Sequence, residues 1–250
     1  MLDLVPSGLV ANSLLRQIPE EELARLRPSL SRVELVSRQV LYEARAPIEH
    51  AYFPETALVA LIAGGSDDAL GVEVGMIGRE GLVGLAVMFD VQPVSFARTI
   101  VQLPGFALRI RGTVLRDAAP SLPALRELCF RYVQATLAQA AQSAACNVLH
   151  PVHQRLAKLI LLTLDRVGGD DVALNHEFLA NMLGVRRPGV TVALGALQHA
   201  GVIQSRRGRI KVLDRACLEA SACSCYTLVS EELERLLPWE NPRRSGSAAA

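Results

Sequence analysis

Seven basic side chains crowd the last third of the chain: Arg186, Arg187, Arg206, Arg207, Arg209, Lys211 and Arg215. Between Asn175 and Arg215 they face only two acids, Glu177 and Asp214. Guanidinium groups at this density suit two kinds of chemistry, neutralisation of a polyanion's phosphates and bidentate hydrogen bonding to the edge of a guanine. The whole chain carries a formal charge of only +1, so the remainder is net acidic. The basic segment is therefore a local footprint, as expected for a polyanion partner.

A second candidate is the stretch GMIGREGLVG, residues 75–84, where Gly75, Gly78, Gly81 and Gly84 recur at every third position. A collagen-like helix needs that period over many repeats, and here it stops. A dinucleotide or P-loop fingerprint needs a helix opening on its last glycine, but Leu85 to Asp90 is a short apolar run that ends at Gln92-Pro93. Two readings remain, a turn inside an all-β unit and a ligand loop.

The cysteines, Cys129, Cys146, Cys217, Cys223 and Cys225, are odd in number and confined to the second half. Reduced thiols are expected rather than a secreted disulfide framework. Cys217, Cys223 and Cys225 follow a C-x5-C-x-C spacing that is not a standard ligand pattern, and His150 and His153 flank Pro151 without an assigned role. No metal and no cofactor are expected. The chain has no G-x-S-x-G, H-E-x-x-H or P-loop motif, so it does not read as an enzyme. No apolar run approaches the ~18 residues of a spanning helix, and no basic-then-apolar leader opens the chain. A cytoplasmic protein without membrane contact is the expectation.

Elements must position these groups, and 250 residues allow two domains. Asn12-Ser13 can cap LLRQI, and Pro19 with three glutamates opens EELARL. From Arg32 to Arg111, the runs RVELV, QVLYEA, HAYFPE, ALVALIA, LGVEVGMI, ARTIVQL and FALRI alternate with Gly, Pro, Asp and Ser breaks, which predicts an antiparallel roll. After Pro120 the period becomes helical. Leu125, Leu128, Tyr132, Ala135 and Gln139 follow three-and-four spacing on a long helix and are the expected dimer seam.

In NHEFLANMLGVRRPGVTVALGALQHAGVI, a capped helix stops at Gly184, and Pro188 begins a second helix where its missing N–H costs nothing. VIQS and IKVL then flank the basic turn RRGR, and Asp214 can cap a last helix. This is the order of a winged helix-turn-helix. Gly189 and Thr191 let the second helix approach base edges, so Arg187 can reach guanine O6 and N7. Asn175, His176, Arg186 and Val192 complete the predicted surface, and Arg206, Arg207 and Arg209 on the hairpin are set against phosphates. The end, PWENPRRSGSAAA, reads as disordered.

On these residues the chain, from about Asn12 to Tyr226, resembles the Crp/Fnr family of bacterial transcription regulators. The resemblance is carried by RLAKLILLTLDRVG, by HEFLANMLGVRRPGVTVALGALQHAGVI and by the order of elements. It implies an α+β fold: a cyclic-nucleotide-binding-like β-roll over residues 12–119, a dimerisation helix over 120–148, a winged helix-turn-helix over 149–226, and a helix end with a tail over 227–250. It also implies a homodimer on double-stranded DNA, RNA polymerase as a further partner, and a small-molecule effector of unknown identity.

In the family, the stretch matching GREGLVG leads into the phosphate-binding cassette of cyclic-nucleotide members. Those members hold the ribose with Gly-Glu-Leu and the phosphate with Arg-Ser. Here Gly84, Leu85, Ala86 and then Ser95, Phe96 align with them, so carboxylate and guanidinium are both missing, and Arg98 falls three residues past Ser95. The family's iron–sulfur sensors use N-terminal cysteines, whereas none precedes Cys129, and His50 is the only histidine available on the roll for a haem. At the DNA, the family pattern Arg-Glu-x-x-x-Arg is replaced by Arg187-Pro188 through Val192. The expectation is a sequence-specific regulator whose sensor has lost cyclic-nucleotide binding. The alternative is a ligand-responsive module acting on a protein partner.

Overall fold

The computed structural model describes residues 10–64, 71–89 and 92–237; the PWENPRRSGSAAA tail lies outside them. The chain forms two compact units. Of the described residues, the first combines those up to Ile62 with those between Gly75 and Gln134 and with 236–237, and the second combines Ala135–Arg235 with those between Ala63 and Val74.

The first unit opens with helices α1 (Ser13–Gln17) and α2 (Glu20–Leu26). Asn12 caps α1, its Oδ1 accepting from the N–H groups of Leu14 and Leu15. Its buried amide also donates to the carbonyls of Pro54 at 3.0 Å and Gly81 at 2.9 Å, so one side chain ties the helix to a strand and to the glycine-rich turn.

Seven strands follow: β1 (Ser31–Leu35), β2 (Val40–Tyr42), β3 (His50–Pro54), β4 (Leu58–Ala63), β5 (Val72–Ile77), β6 (Arg98–Leu103) and β7 (Gly105–Arg111). Each run read as a strand from its apolar pattern is one. They form an antiparallel roll of two sheets, in the orders β1-β7-β3 and β2-β6-β4-β5. Phe53, Leu58, Leu82, Leu108 and Ile110 fill the core, an almost wholly aliphatic one as the few aromatics require.

The stretch GMIGREGLVG is a turn. The N–H of Gly81 bonds the carbonyl of Gly78 at 3.1 Å, and the buried Glu80 carboxylate accepts from the N–H of Gly78 at 3.1 Å. Gly84 takes a φ of +85°, and a Cβ there would stand 2.7 Å from the Tyr42 hydroxyl. Leu85–Met88 then make one 3-10 turn, not a helix.

A short helix that the pattern does not announce, α3 (Gly112–Ala118), leads to α4 (Pro123–Leu149). The start of α4 is capped from outside: the carboxylate of Glu22 accepts from the N–H groups of Ala124 at 2.9 Å and Leu125 at 3.0 Å. That satisfies two of the helix's orphan donors with a charge the helix dipole favours. The two units divide within this continuous helix, rather than at its ends.

The second unit contains α5 (Val152–Val167), β8 (Asp171–Val172), α6 (His176–Leu183), α7 (Arg187–His199), β9 (Ile203–Arg206), β10 (Arg209–Val212), α8 (Arg215–Ser221) and α9 (Cys225–Leu236). Two features differ from expectation. A third strand, β8, pairs with β10 to give the order β8-β10-β9. The final helical stretch is two helices, because the chain becomes extended at Ala222.

Candidate nucleic-acid interface

α5 is the platform. Its buried Arg155 donates to the carbonyl of Leu183, the last residue of α6, and to Oδ1 of Asn147 at 2.7 Å. Asn175 caps α6, its Oδ1 accepting from the N–H of Phe178 at 2.8 Å, and Gly184 ends the helix at a φ of +61°. Arg186 is extended, Arg187 is the first residue of α7, and Pro188 lies within its first turn, where a missing N–H leaves no helical bond unmade.

One side of α7, with Val190, Ala193, Leu194 and Leu197, is buried; Arg187, Gly189, Thr191, Val192, Gly195 and Ala196 are exposed. A Cβ added at Gly189 or Gly195 would meet nothing within 4 Å, so that side is smooth and open. Val192, 73 % exposed, is an apolar group of the kind that meets a thymine methyl.

Thr191 and His176, both predicted to contact DNA, contact each other. The Thr191 hydroxyl lies 3.1 Å from the carbonyl of Arg187 and 2.9 Å from Nδ1 of His176, within hydrogen-bond distance of both. The pair braces the start of α6 against α7.

The wing is a two-residue hairpin. Arg206 pairs with Arg209, and the connecting Arg207 and Gly208 have φ of +51° and +75°, the type I′ geometry that suits the twist of two strands. Arg206 and Arg207 are exposed at its tip. Arg209, assigned the same role from sequence, is exposed as well but is paired with Asp171 of β8, Nε to Oδ1 at 3.1 Å, because the unforeseen strand brings a carboxylate beside it. Arg215 is held by Asp165 at 2.6 Å and Glu219 at 2.8 Å.

The predicted effector residues lie on the roll without converging as charged groups. Leu85 and Ala86 sit on the 3-10 turn that follows Gly84. The buried Ser95 hydroxyl donates to the carbonyl of Ala97 at 2.6 Å, Phe96 is 73 % exposed, and Arg98 pairs with Glu43 at 3.1 Å on the surface.

The seam residues predicted on α4 differ more. Leu125, Leu128, Tyr132 and Ala135 are buried within the single chain, and Gln139 accepts from Arg166 at 2.9 Å. Side chains already covered by their own chain are not free to cover another. The exposed apolar stripe is a different one: Phe130, Val133, Leu137, Ala141, Ala144 and Val148, again at three-and-four spacing.

A further grouping joins residues that the sequence analysis kept apart. Cys146, His150, Cys223 and Cys225 bring one potential ligand atom each to within 4.8 Å of all the others. The exposed Cys217 is not among them.

Comparison with known proteins agrees with this geometry. Residues 154–221 match the model of the Crp-like helix-turn-helix domain. No curated protein is similar in sequence at a significant level. Among solved structures, FixK2 from Bradyrhizobium japonicum is similar at a TM-score of 0.65 and 16 % identity, over 78 % of this chain and 98 % of that one. CLP from Xanthomonas campestris, described as a c-di-GMP-responsive global regulator, gives 0.62 and 17 %, over 78 % and 99 %. A transcriptional regulator of the Crp/Fnr family from Eubacterium rectale gives 0.60 and 14 %, over 83 % and 96 %. Residues 154–221 thus form a Crp-like helix-turn-helix domain, and the fold of the chain, with its antiparallel roll, long helix and winged helix-turn-helix, is similar to that of these solved structures. Among the described residues, no helix is long and apolar enough to cross a membrane.

Proposed function

We propose that the protein is a homodimeric, sequence-specific regulator of transcription that binds double-stranded DNA through α7 and its wing. The observation that carries this reading is the open side of α7, with Arg187 at its first position and Val192 five residues on, beside a hairpin that displays Arg206 and Arg207. α7 enters the major groove, where Arg187 reads a guanine and Val192 meets a neighbouring base; the wing arginines sit on phosphates. Asn175, His176 and Thr191 position the reading helix.

Two copies join along the Phe130, Val133, Leu137, Ala141, Ala144 and Val148 stripe of α4. Such a seam allows two reading helices to meet successive major grooves about 34 Å apart. The roll does not bind cyclic nucleotides. A cyclic phosphate would need a buried cation, while Ser95 spends its hydroxyl on Ala97 and Arg98 is paired with Glu43 at the surface.

Selection of bound fragments from random or genomic duplex DNA, followed by mobility shifts, tests the reading. A palindromic preference with salt-dependent affinity is expected. DNA binding no better than that of the isolated roll would sink it, and would favour the module acting on a protein partner.

A further inference from the structure

Three thiols and an imidazole converge in the second unit. Cys146 is on the last turn of α4, His150 just past its end, Cys223 between α8 and α9, and Cys225 the first residue of α9. Cys146 Sγ lies 3.5 Å from Cys223 Sγ, and Cys225 Sγ lies 3.4 Å from His150 Nδ1. All three thiols are buried.

Tetrahedral zinc with Zn–S near 2.3 Å and Zn–N near 2.0–2.1 Å places its sulfurs about 3.8 Å apart and sulfur from nitrogen about 3.6 Å apart. The two distances seen are close to those edges. We infer that Cys146, His150, Cys223 and Cys225 form a Cys3His site for a structural zinc ion, which fastens the α4–α5 junction to the α8–α9 junction.

The surroundings fit an anionic metal–thiolate centre better than a cluster of neutral thiols. Zinc with three thiolates and one neutral imidazole carries a charge of about −1. The buried ammonium of Lys158 donates to Cys146 Sγ at 3.3 Å, and Gln142 Nε2 donates to Cys225 Sγ at 3.0 Å. An ammonium brought out of water is stabilised by negative charge beside it, which ligating thiolates supply together with the neighbouring Glu73 when that carboxyl is ionised, and hydrogen bonds to ligating sulfurs are the usual outer support of such sites. Four protein ligands also fill the coordination shell, so the site has no open position for substrate and its role is structural. Each thiol releases a proton as its zinc–sulfur bond forms, and no electron is transferred.

The test uses the full-length protein purified under reducing conditions without an affinity metal. Elemental analysis should find one zinc per chain. Cys223→Ala and Cys225→Ala should each lower that to near zero, and Cys129→Ser and Cys217→Ser should leave it at one. Because the ligand variants could fail to fold, the parent is also stripped with a chelator and titrated with Co(II). A one-to-one endpoint, with the intense visible bands of tetrahedral cobalt and thiolate charge transfer in the near ultraviolet, is expected. Absence of zinc together with a silent cobalt titration overturns the assignment. So does a Cys146–Cys223 disulfide, two hydrogens lighter by mass, in freshly isolated protein that holds no metal.

Discussion

The hydroxyl of Tyr132 occupies the space a side chain at Gly81 would need: a Cβ built there would lie 2.1 Å from its oxygen and 2.4 Å from Cζ. The long helix thus requires the third glycine of GMIGREGLVG. Gly81→Ala should destabilise the first unit by about 1–3 kcal/mol through overpacking, roughly 2–4 °C in Tm per kcal/mol. Removing the ring should relieve it. In a double-mutant cycle, Gly81→Ala combined with Tyr132→Ala is expected to cost less than the sum of the two; strict additivity would mean that the ring moves aside freely.

The two sides of α4 make opposite predictions. Leu137 is 68 % exposed and Tyr132 is 4 % exposed. Leu137→Asp should therefore give a folded monomer with weakened DNA binding, while Tyr132→Asp should lower Tm whatever the association state. Sedimentation velocity and thermal melts separate the cases. A Leu137→Asp protein that stays dimeric would place the seam elsewhere.

The order of elements was legible because roll strands alternate and because Gly184, Pro188 and Gly208 punctuate the winged domain. Which side of α4 is covered by its own chain was not. Both sides of α4 are apolar at the same spacing, and only the fold reveals that Leu125 and Tyr132 are covered from within the chain. β8 is two residues long, too short for any period, so the capture of Arg209 by Asp171 could not be foreseen. The thiol cluster joins residues more than seventy positions apart. Its readable traces were local: Cys146 and His150 four apart at a helix end, and a Cys-x-Cys pair.

Glu73 gives the fold a pH dependence. Burial pushes its carboxyl up to about 8, against the opposing attraction of Lys158 and Arg166. A carboxyl raised in the folded state binds a proton that the unfolded chain has already lost. The stability tied to that proton is present in full below the ordinary value of 4.5 and is lost as pH rises through about 8. Glu73→Gln, which keeps the neutral shape, should flatten this fall, so its Tm should exceed the parent's above the upper value and converge with it in acid. Parallel Tm curves for the two proteins across that window would show that Glu73 is ionised in the fold.

The arginines of the winged domain should fall into three groups. Arg187 opens the reading helix, so Arg187→Ala should cost about 1–3 kcal/mol on the selected site and flatten preference at one base pair in each half-site. Arg206 and Arg207 are exposed at the hairpin tip. Alanine at either should weaken all sequences alike and reduce the salt slope by about one per lost phosphate contact in each subunit. Arg209 is bound to Asp171 at 3.1 Å, so Arg209→Ala should change the slope less than the other two. Asp171→Asn, which frees the guanidinium, should steepen it. Affinities on selected and random duplexes over a range of salt measure all of this at once. If Arg187→Ala lowers both kinds of binding equally while a wing substitution alters the preferred sequence, the helix and the wing have exchanged roles.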